Sequence, residues 1–286
     1  MPINLDDLGN FDNLEDLNKI LEKRMKEHNS IAAPGFDGLS PERMAALQTS
    51  FPENHPKSPL VKNYLKPMEL AQCPLLMQLR FLMEKLRGGK EIKLTRTGAL
   101  PTAVVKELYE QGHLKNYWIE NGYSKVNREG EIMEVLITRL LLEISSLAKK
   151  RNHKLSLTRK GEKIIDDGNA ILDELLQILL YKFNWGYFDG YESENIGQVI
   201  PGFSIYLIKK YGDEERSSKF YAQKYFEAFP HLRGNKNDFN CYKSRTFSRY
   251  FKFLGLVKIP DKTLFDEEMM VAKTPFCDLL FSLQNK

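Results

Sequence analysis

Residues 131–161 read EIMEVLITRLLLEISSLAKKRNHKLSLTRKG, and the way this stretch folds decides how the rest of the chain is arranged. Apolar residues recur at helical spacing through its first two thirds, which predicts one long helix over 131–151. The remainder, His153 to Gly161, predicts a short hairpin with Lys154–Thr158 as a strand. Ile132–Leu147 is the longest apolar tract, but Glu134, Arg139 and Glu143 interrupt it. It therefore falls short of the roughly 18 uninterrupted apolar residues that a membrane span needs. A helix apolar on most of its circumference belongs between packed units or at a homodimer interface. Its residual polar stripe carries Glu134 and Glu143, which phosphates would repel.

Upstream, the chain supplies further elements in order. Pro74–Arg87 has Leu75, Leu76, Leu79, Leu82, Met83 and Leu86 on one side of a helix, and Gly88-Gly89 stops it. Glu91–Thr95 reads as a strand. Pro101 opens a second helix that ends at Gly112, and Asn127 is the expected cap of the long third helix. Glu162–Asp167 begins an exit helix. Leu94-Thr95-Arg96-Thr97-Gly98 and Leu157-Thr158-Arg159-Lys160-Gly161 echo each other. Each offers a Thr able to cap and a Gly tolerant of positive φ.

Leu157-Thr158-x-x-Gly161, placed after a third helix, resembles the wing of winged-helix regulators of the MarR and PadR type. The resemblance implies a winged-helix unit over residues 71–168. The C-terminal 65 or so residues repeat the pattern without a diagnostic motif. Helices are expected at Ser217–Phe229 and Phe239–Leu254, a strand after Gly255, a returning strand at Met269–Lys273, and a closing helix at Pro275–Leu283. The expected class is therefore mainly α with short β-hairpins (α+β). Two winged-helix-like units, 71–168 and 213–286, are joined by a helical, aromatic-rich connector, 169–212. Residues 1–70 form a helical arm and a Pro-rich strap.

A recognition helix must bury one stripe and offer a cationic, polar stripe to base edges and phosphates. In helix 239–254, Phe247, Tyr250, Phe251 and Leu254 fall on the buried side. Arg245, Ser248, Arg249 and Lys252 share another face free of carboxylates, flanked by Lys243 and Lys258. These six are the expected DNA-binding residues, with double-stranded DNA as partner and the major groove as their target. Lys149, Lys150, Arg151, Lys154, Arg159 and Lys160 are expected to add phosphate contacts. The connector's Phe183, Trp185, Tyr187, Phe188 and Tyr191 suit a local core better than a base-stacking platform, because Asp189, Glu192 and Glu194 stand among them.

The charge distribution agrees with this division. Net charge is only +4, yet residues 85–163 hold 17 Lys/Arg against 9 Asp/Glu and residues 209–262 hold 13 against 6. Between them, residues 164–208 hold 1 against 7. Two basic blocks around an acidic one fit two polyanion-facing surfaces. Cys73, Cys241 and Cys277 are far apart and lack metal-ligand spacing, which predicts reduced thiols and a cytoplasmic protein. The five histidines are scattered. No phosphate-cradling glycine loop or serine elbow appears. Neither a cofactor, a metal nor an enzymatic activity is expected.

The acidic N-terminus predicts a helix from about Asn13 to His28, capped by Asp12 or Asn13. Leu14, Leu17, Leu21 and Met25 form a stripe able to pack on the body or on a second copy. Residues 31–70 carry Pro34, Pro41, Pro52, Pro56, Pro59 and Pro67 and read as irregular chain beyond a short helix opened by Ser40-Pro41-Glu42. Gly38-Leu39-Ser40-Pro41-Glu42-x-Met44, Ser58-Pro59-Leu60 and Leu94-Thr95-x-x-Gly98-x-Leu100-Pro101 are similar to a group of uncharacterised bacterial proteins. Some of these carry an added SEC-C zinc motif, whose Cys/His cluster this chain lacks. That resemblance implies a bacterial or phage origin. The rival to a DNA-binding regulator is a non-catalytic scaffold, dimeric through helix 131–151 or the N-terminal arm.

Overall fold

Residues 14–284 are described by the computed structural model. The expected cap at Asp12 or Asn13 lies outside the described residues. The arm is a helix, Leu14–Ser30, none of whose residues is buried. In the strap, Ser40 caps the Pro41–Thr49 helix by accepting from the Arg43 amide at 3.4 Å. Residues 60–62 are not irregular chain. Leu60–Lys62 (β1) pairs antiparallel with Phe281–Leu283 (β8), Leu60 lying opposite Leu283. The closing helix consequently stops at Leu280. Asn63 reinforces the junction by donating to Leu279 O at 2.9 Å.

The central stretch is split differently from the expectation. Its helix spans only Met133–Ile144. Ser145 turns its hydroxyl back onto Leu142 O, and Ser146 takes φ 58, which ends the helix. Ala148–Arg151 is then a strand (β3) paired with Lys154–Leu157 (β4) around Asn152 and His153, both at positive φ. A two-residue loop with two positive φ values is the connection that matches hairpin twist. The periodicity missed this boundary because Ala-Lys-Lys-Arg continues a helical pattern as well as it begins a strand. Glu91–Lys93 (β2) completes a three-stranded antiparallel sheet in the order β2-β4-β3.

Around this sheet pack the helices Pro74–Leu86, Thr102–Glu110, Met133–Ile144 and Gly168–Tyr181. Asn127 does not cap the third helix. A single turn, Glu129–Glu131, precedes it, and Ile132 sits at the N-cap without a side-chain bond. Buried Glu129 instead accepts from Arg139 Nε at 2.6 Å and from the Leu100 amide at 3.2 Å. Gln78, also buried, donates to Glu134 O and to Thr138 Oγ1. These bonds satisfy polar groups on a helix whose only exposed residue is Ile144. Most of the helix is thus committed to the core, and only the stripe Leu136, Leu140 and Ile144 is left partly uncovered on the side a homodimer would use.

The C-terminal half follows a similar order. Pro201–Tyr211, Arg216–Ser217 (β5) and Ser218–Ala228 lead to a helix from Asp238 to Leu254. Its middle, Lys243–Phe251, is wound as a π-helix. Val257–Lys258 (β6) and Met270–Lys273 (β7) then form a hairpin, in the sheet order β5-β7-β6. Thr158 and Thr274 occupy equivalent places after the third strand of each sheet. Thr158 accepts from the Gly161 amide and Thr274 from the Cys277 amide. The observed class is thus mostly helical, with short antiparallel hairpins. The two halves meet where Lys252–Leu254 packs on Pro74–Leu86.

Candidate nucleic-acid interface

Register fixes which side chains share a face of the first sheet. Lys93, Lys154 and Arg151 lie opposite one another across β2, β4 and β3, as do Glu91, Ser156 and Lys149 in the next row. Opposed residues point to the same side. Leu155, Leu157 and Ala148 face inward and are buried, so the two charged rows face solvent. The face holds one carboxylate, Glu91, which meets Lys154 Nζ at 2.6 Å. Lys93, Lys149 and Arg151 are exposed and have no ion pair among the described residues. Lys150 falls on the inward row at the edge strand. Its ammonium leans over the Thr95–Gly98 turn, in the space a Cβ on Gly98 would fill.

The remaining hairpin candidates flank this face. Arg159 is exposed at the start of the Arg159–Ile164 helix. Lys160 is engaged, pairing with Glu174 at 2.6 Å and donating to Ser145 O at 3.2 Å. Lys149, Arg151 and Lys154 were expected to play a supporting part, and the sheet sets them on one cationic face with Lys93, which the sequence reading did not single out.

The second helix is arranged in the opposite way. Arg245 is 1% exposed. Its Nε and Nη2 each donate to Asp189 at 2.8 Å, and Nη1 donates to Ile196 O at 3.1 Å. Arg249 also reaches Asp189, at 3.3 Å, and donates to Phe188 O. Its guanidinium lies 5.8 Å from the Trp185 ring centroid. The acidic, aromatic connector has folded over the helix. Burial alone would push the Asp189 carboxyl up, but hydrogen bonds and charge from Arg245, with Arg249 adding charge, hold it below the usual carboxylate range. Neither guanidinium faces solvent as a recognition surface requires, so the expectation that Arg245 and Arg249 reach bases is set aside. Sequence spacing placed them on one face correctly, but nothing in that spacing showed what covers the face.

Lys243, Ser248 and Lys252 line a cleft of about 310 Å³ with Tyr117, Trp118 and Phe265. Lys258 is exposed on β6 opposite Ala272. No residue of the 238–254 helix is fully exposed. Among the described residues, no group of His, Cys, Asp and Glu could hold a metal. No described helix is long and apolar enough to cross a membrane. All three cysteines are free and buried.

Residues 71–170 match the model of a family described as the Y4jL N-terminal domain. That span holds the first sheet and the helices Pro74–Leu86, Thr102–Glu110 and Met133–Ile144, and ends at the start of Gly168–Tyr181. Comparison with curated proteins finds no match, and neither does comparison with solved structures.

Proposed function

We propose that the chain contains two winged-helix units, over residues 74–164 and 201–280, and binds duplex nucleic acid through the β2-β4-β3 face of the first. The winged-helix reading rests on an order of helix, strand, helix, helix and hairpin that occurs twice. Both sheets also place the third strand between the first and second. The observation that carries the binding reading is the row Lys93–Lys154–Arg151, with Lys149 beside it and Glu91 as the sole carboxylate. Like charges directly opposite in a sheet are destabilising unless an anion lies across them. Lys154, on the central strand, is paired with Glu91, so the open cations are Lys93, Lys149 and Arg151 on the edge strands, where charge also discourages aggregation.

Both third helices are packed away, so the contact is made to phosphates and carries little sequence information. Fluorescence anisotropy of a labelled duplex across a salt series tests this. The logarithm of affinity should fall linearly with that of salt. The Lys93→Ala/Arg151→Ala variant should lower affinity for all sequences alike and reduce the slope by about 2. Absence of binding at low salt, or a slope the double variant leaves unchanged, overturns the proposal.

A second reading, as an interaction module, is favoured by the arm. Leu14, Met25 and Ile31 are exposed on or beside a helix with no buried residue. The helix packs on Pro41–Thr49, and Leu14 and Met25 are left outward. Self-association through the arm would appear in analytical ultracentrifugation as a salt-insensitive dimer that Leu14→Glu/Leu21→Glu dissolves.

A further inference from the structure

The cleft between the two halves holds two kinds of unpaired charge. Glu134 is 7% exposed. Its carboxylate has no cation partner among the described residues and accepts only from Asn116 Nδ2, at 3.1 and 3.3 Å. A buried carboxylate without an ion pair and with spare acceptor capacity is costly unless something donates to it. Lys243 and Lys252 line the same cleft and have no ion pair among the described residues. Lys243 donates to Asp266 O at 2.8 Å, and burial pushes its ammonium pKa down. Ser244 and Ser248, one turn apart, add hydroxyls on the lysine side.

Between these charges stands an aromatic wall. Phe265 lies edge-on to Tyr117 at 4.8 Å and tilted against Trp118 at 5.3 Å. Trp118 is 51% and Phe265 57% exposed, unusual for large rings placed side by side. From this arrangement we propose that the cleft binds a nucleotide, with guanine as the best-matched base. The ring stacks on Trp118 and Phe265, its N–H edge donates to Glu134, and the phosphate meets Lys243, Lys252 and the serine hydroxyls. Guanine offers two adjacent donors, N1–H and the 2-amino group, which suit the two oxygens of a carboxylate. Uracil offers only one. Two lysines and two hydroxyls suit a phosphate better than the single carboxylate of an amino acid. The volume is that of a small-ligand site and too small for a duplex groove. This inference does not depend on the hairpin reading.

Trp118 supplies the readout, because the chain's other tryptophan, Trp185, is buried. Titrating the full chain with GMP should quench tryptophan fluorescence saturably. AMP should bind more weakly and UMP more weakly still, and a short guanine-containing single strand tests whether the nucleotide is held free or within a chain. Lys252→Ala should weaken GMP about tenfold or more, as loss of a charged hydrogen bond implies. Glu134→Gln should weaken GMP more than UMP and so narrow the preference between them. Equilibrium dialysis with Trp118→Phe separates loss of signal from loss of binding. Failure of all three nucleotides to bind, equal affinity for GMP and UMP in the wild type, or unchanged affinity in Lys252→Ala overturns the assignment. Because Lys93 and Arg151 are not among the residues that line the cleft, loss of duplex binding in their double variant leaves this result unaffected.

Discussion

Two regions of this protein carry the same kinds of cation in surroundings that could hardly differ more. On the first sheet, Lys93, Lys149 and Arg151 stand in solvent with one carboxylate among them. On the second long helix, Arg245 and Arg249 are folded against Asp189 beneath the connector. A guanidinium held by a carboxylate at 2.8 Å and closed off from water holds the fold together. An ammonium with no partner remains available to an incoming anion. Partner, more than residue type, separates cations that hold the fold from cations left open to solvent.

The largest effect expected from this contrast is at Arg245. Arg245→Ala strips covered Asp189 of its two closest donors and leaves it Arg249 at 3.3 Å, which should cost about 3 kcal/mol in urea denaturation, the low end for a broken buried pair. Arg245→Met with Asp189→Leu, a neutral pair of similar bulk, should recover most of that loss. If Arg245→Ala costs under about 1 kcal/mol, the pair is a solvated contact and the contrast collapses. Acid titration sharpens the same point. The folded Asp189 carboxyl titrates below its ordinary value of 3.8, so the unfolded chain takes up the proton first as pH falls. The stabilisation is complete above the ordinary value and is lost as pH drops through the lower folded one. Urea midpoints should fall between pH 5 and pH 3 by more in the wild type than in Asp189→Asn.

Next in size is a pair of glycines from the echoed pentapeptides. Thr158 accepts from the Gly161 amide at 3.1 Å and begins a helix. Thr95 accepts from Ala99 and closes a turn. Gly161 has ordinary helical φ, but a Cβ there would collide with the Leu147 carbonyl, which is backbone and cannot swing aside. Gly98 has φ +80, and the atom in its way is the mobile end of Lys150. Gly161→Ala should therefore cost about 2 kcal/mol through overpacking, and Gly98→Ala about 1 kcal/mol through backbone strain. Equal costs at the two positions would mean that the motifs are structurally interchangeable.

Much of this architecture was legible in the sequence, for identifiable reasons. Leu75, Leu79, Leu82 and Leu86 mark a helix because four leucines at that spacing bury together. The second strand of the hairpin was legible from Thr158 and Gly161, whose chemistry is local, whereas its first strand, Ala148–Arg151, read as the end of the helix. The end of the central helix was not found, because Ser145 and Ser146 permit helix as readily as they stop it. The pairing of β1 with β8 joins residues more than 200 positions apart, and no local pattern carries such information. Site residues divide the same way. Helical spacing placed Arg245, Ser248, Arg249 and Lys252 together, but the element that covers two of them comes from Phe188 and Asp189, more than fifty residues earlier. The buried carboxylate of Glu134 read as a stripe on a helix, because Asn116 and the cleft around it arise only from packing.

The smallest stability effect is expected where the functional effect is greatest. Lys93 and Arg151 touch no carboxylate and bury no surface of consequence, so Ala at both positions should change stability by no more than about 0.5 kcal/mol. Relief of repulsion along the row makes a slight gain the expected sign. Arg245→Ala should show the reverse pattern, with a large stability loss and duplex affinity unchanged for the fraction that remains folded. Measuring both quantities on both variants makes the contrast quantitative. Should Lys93→Ala/Arg151→Ala unfold the protein, the hairpin cations are holding the sheet together after all, and the distinction between partnered and free cations loses its physical basis.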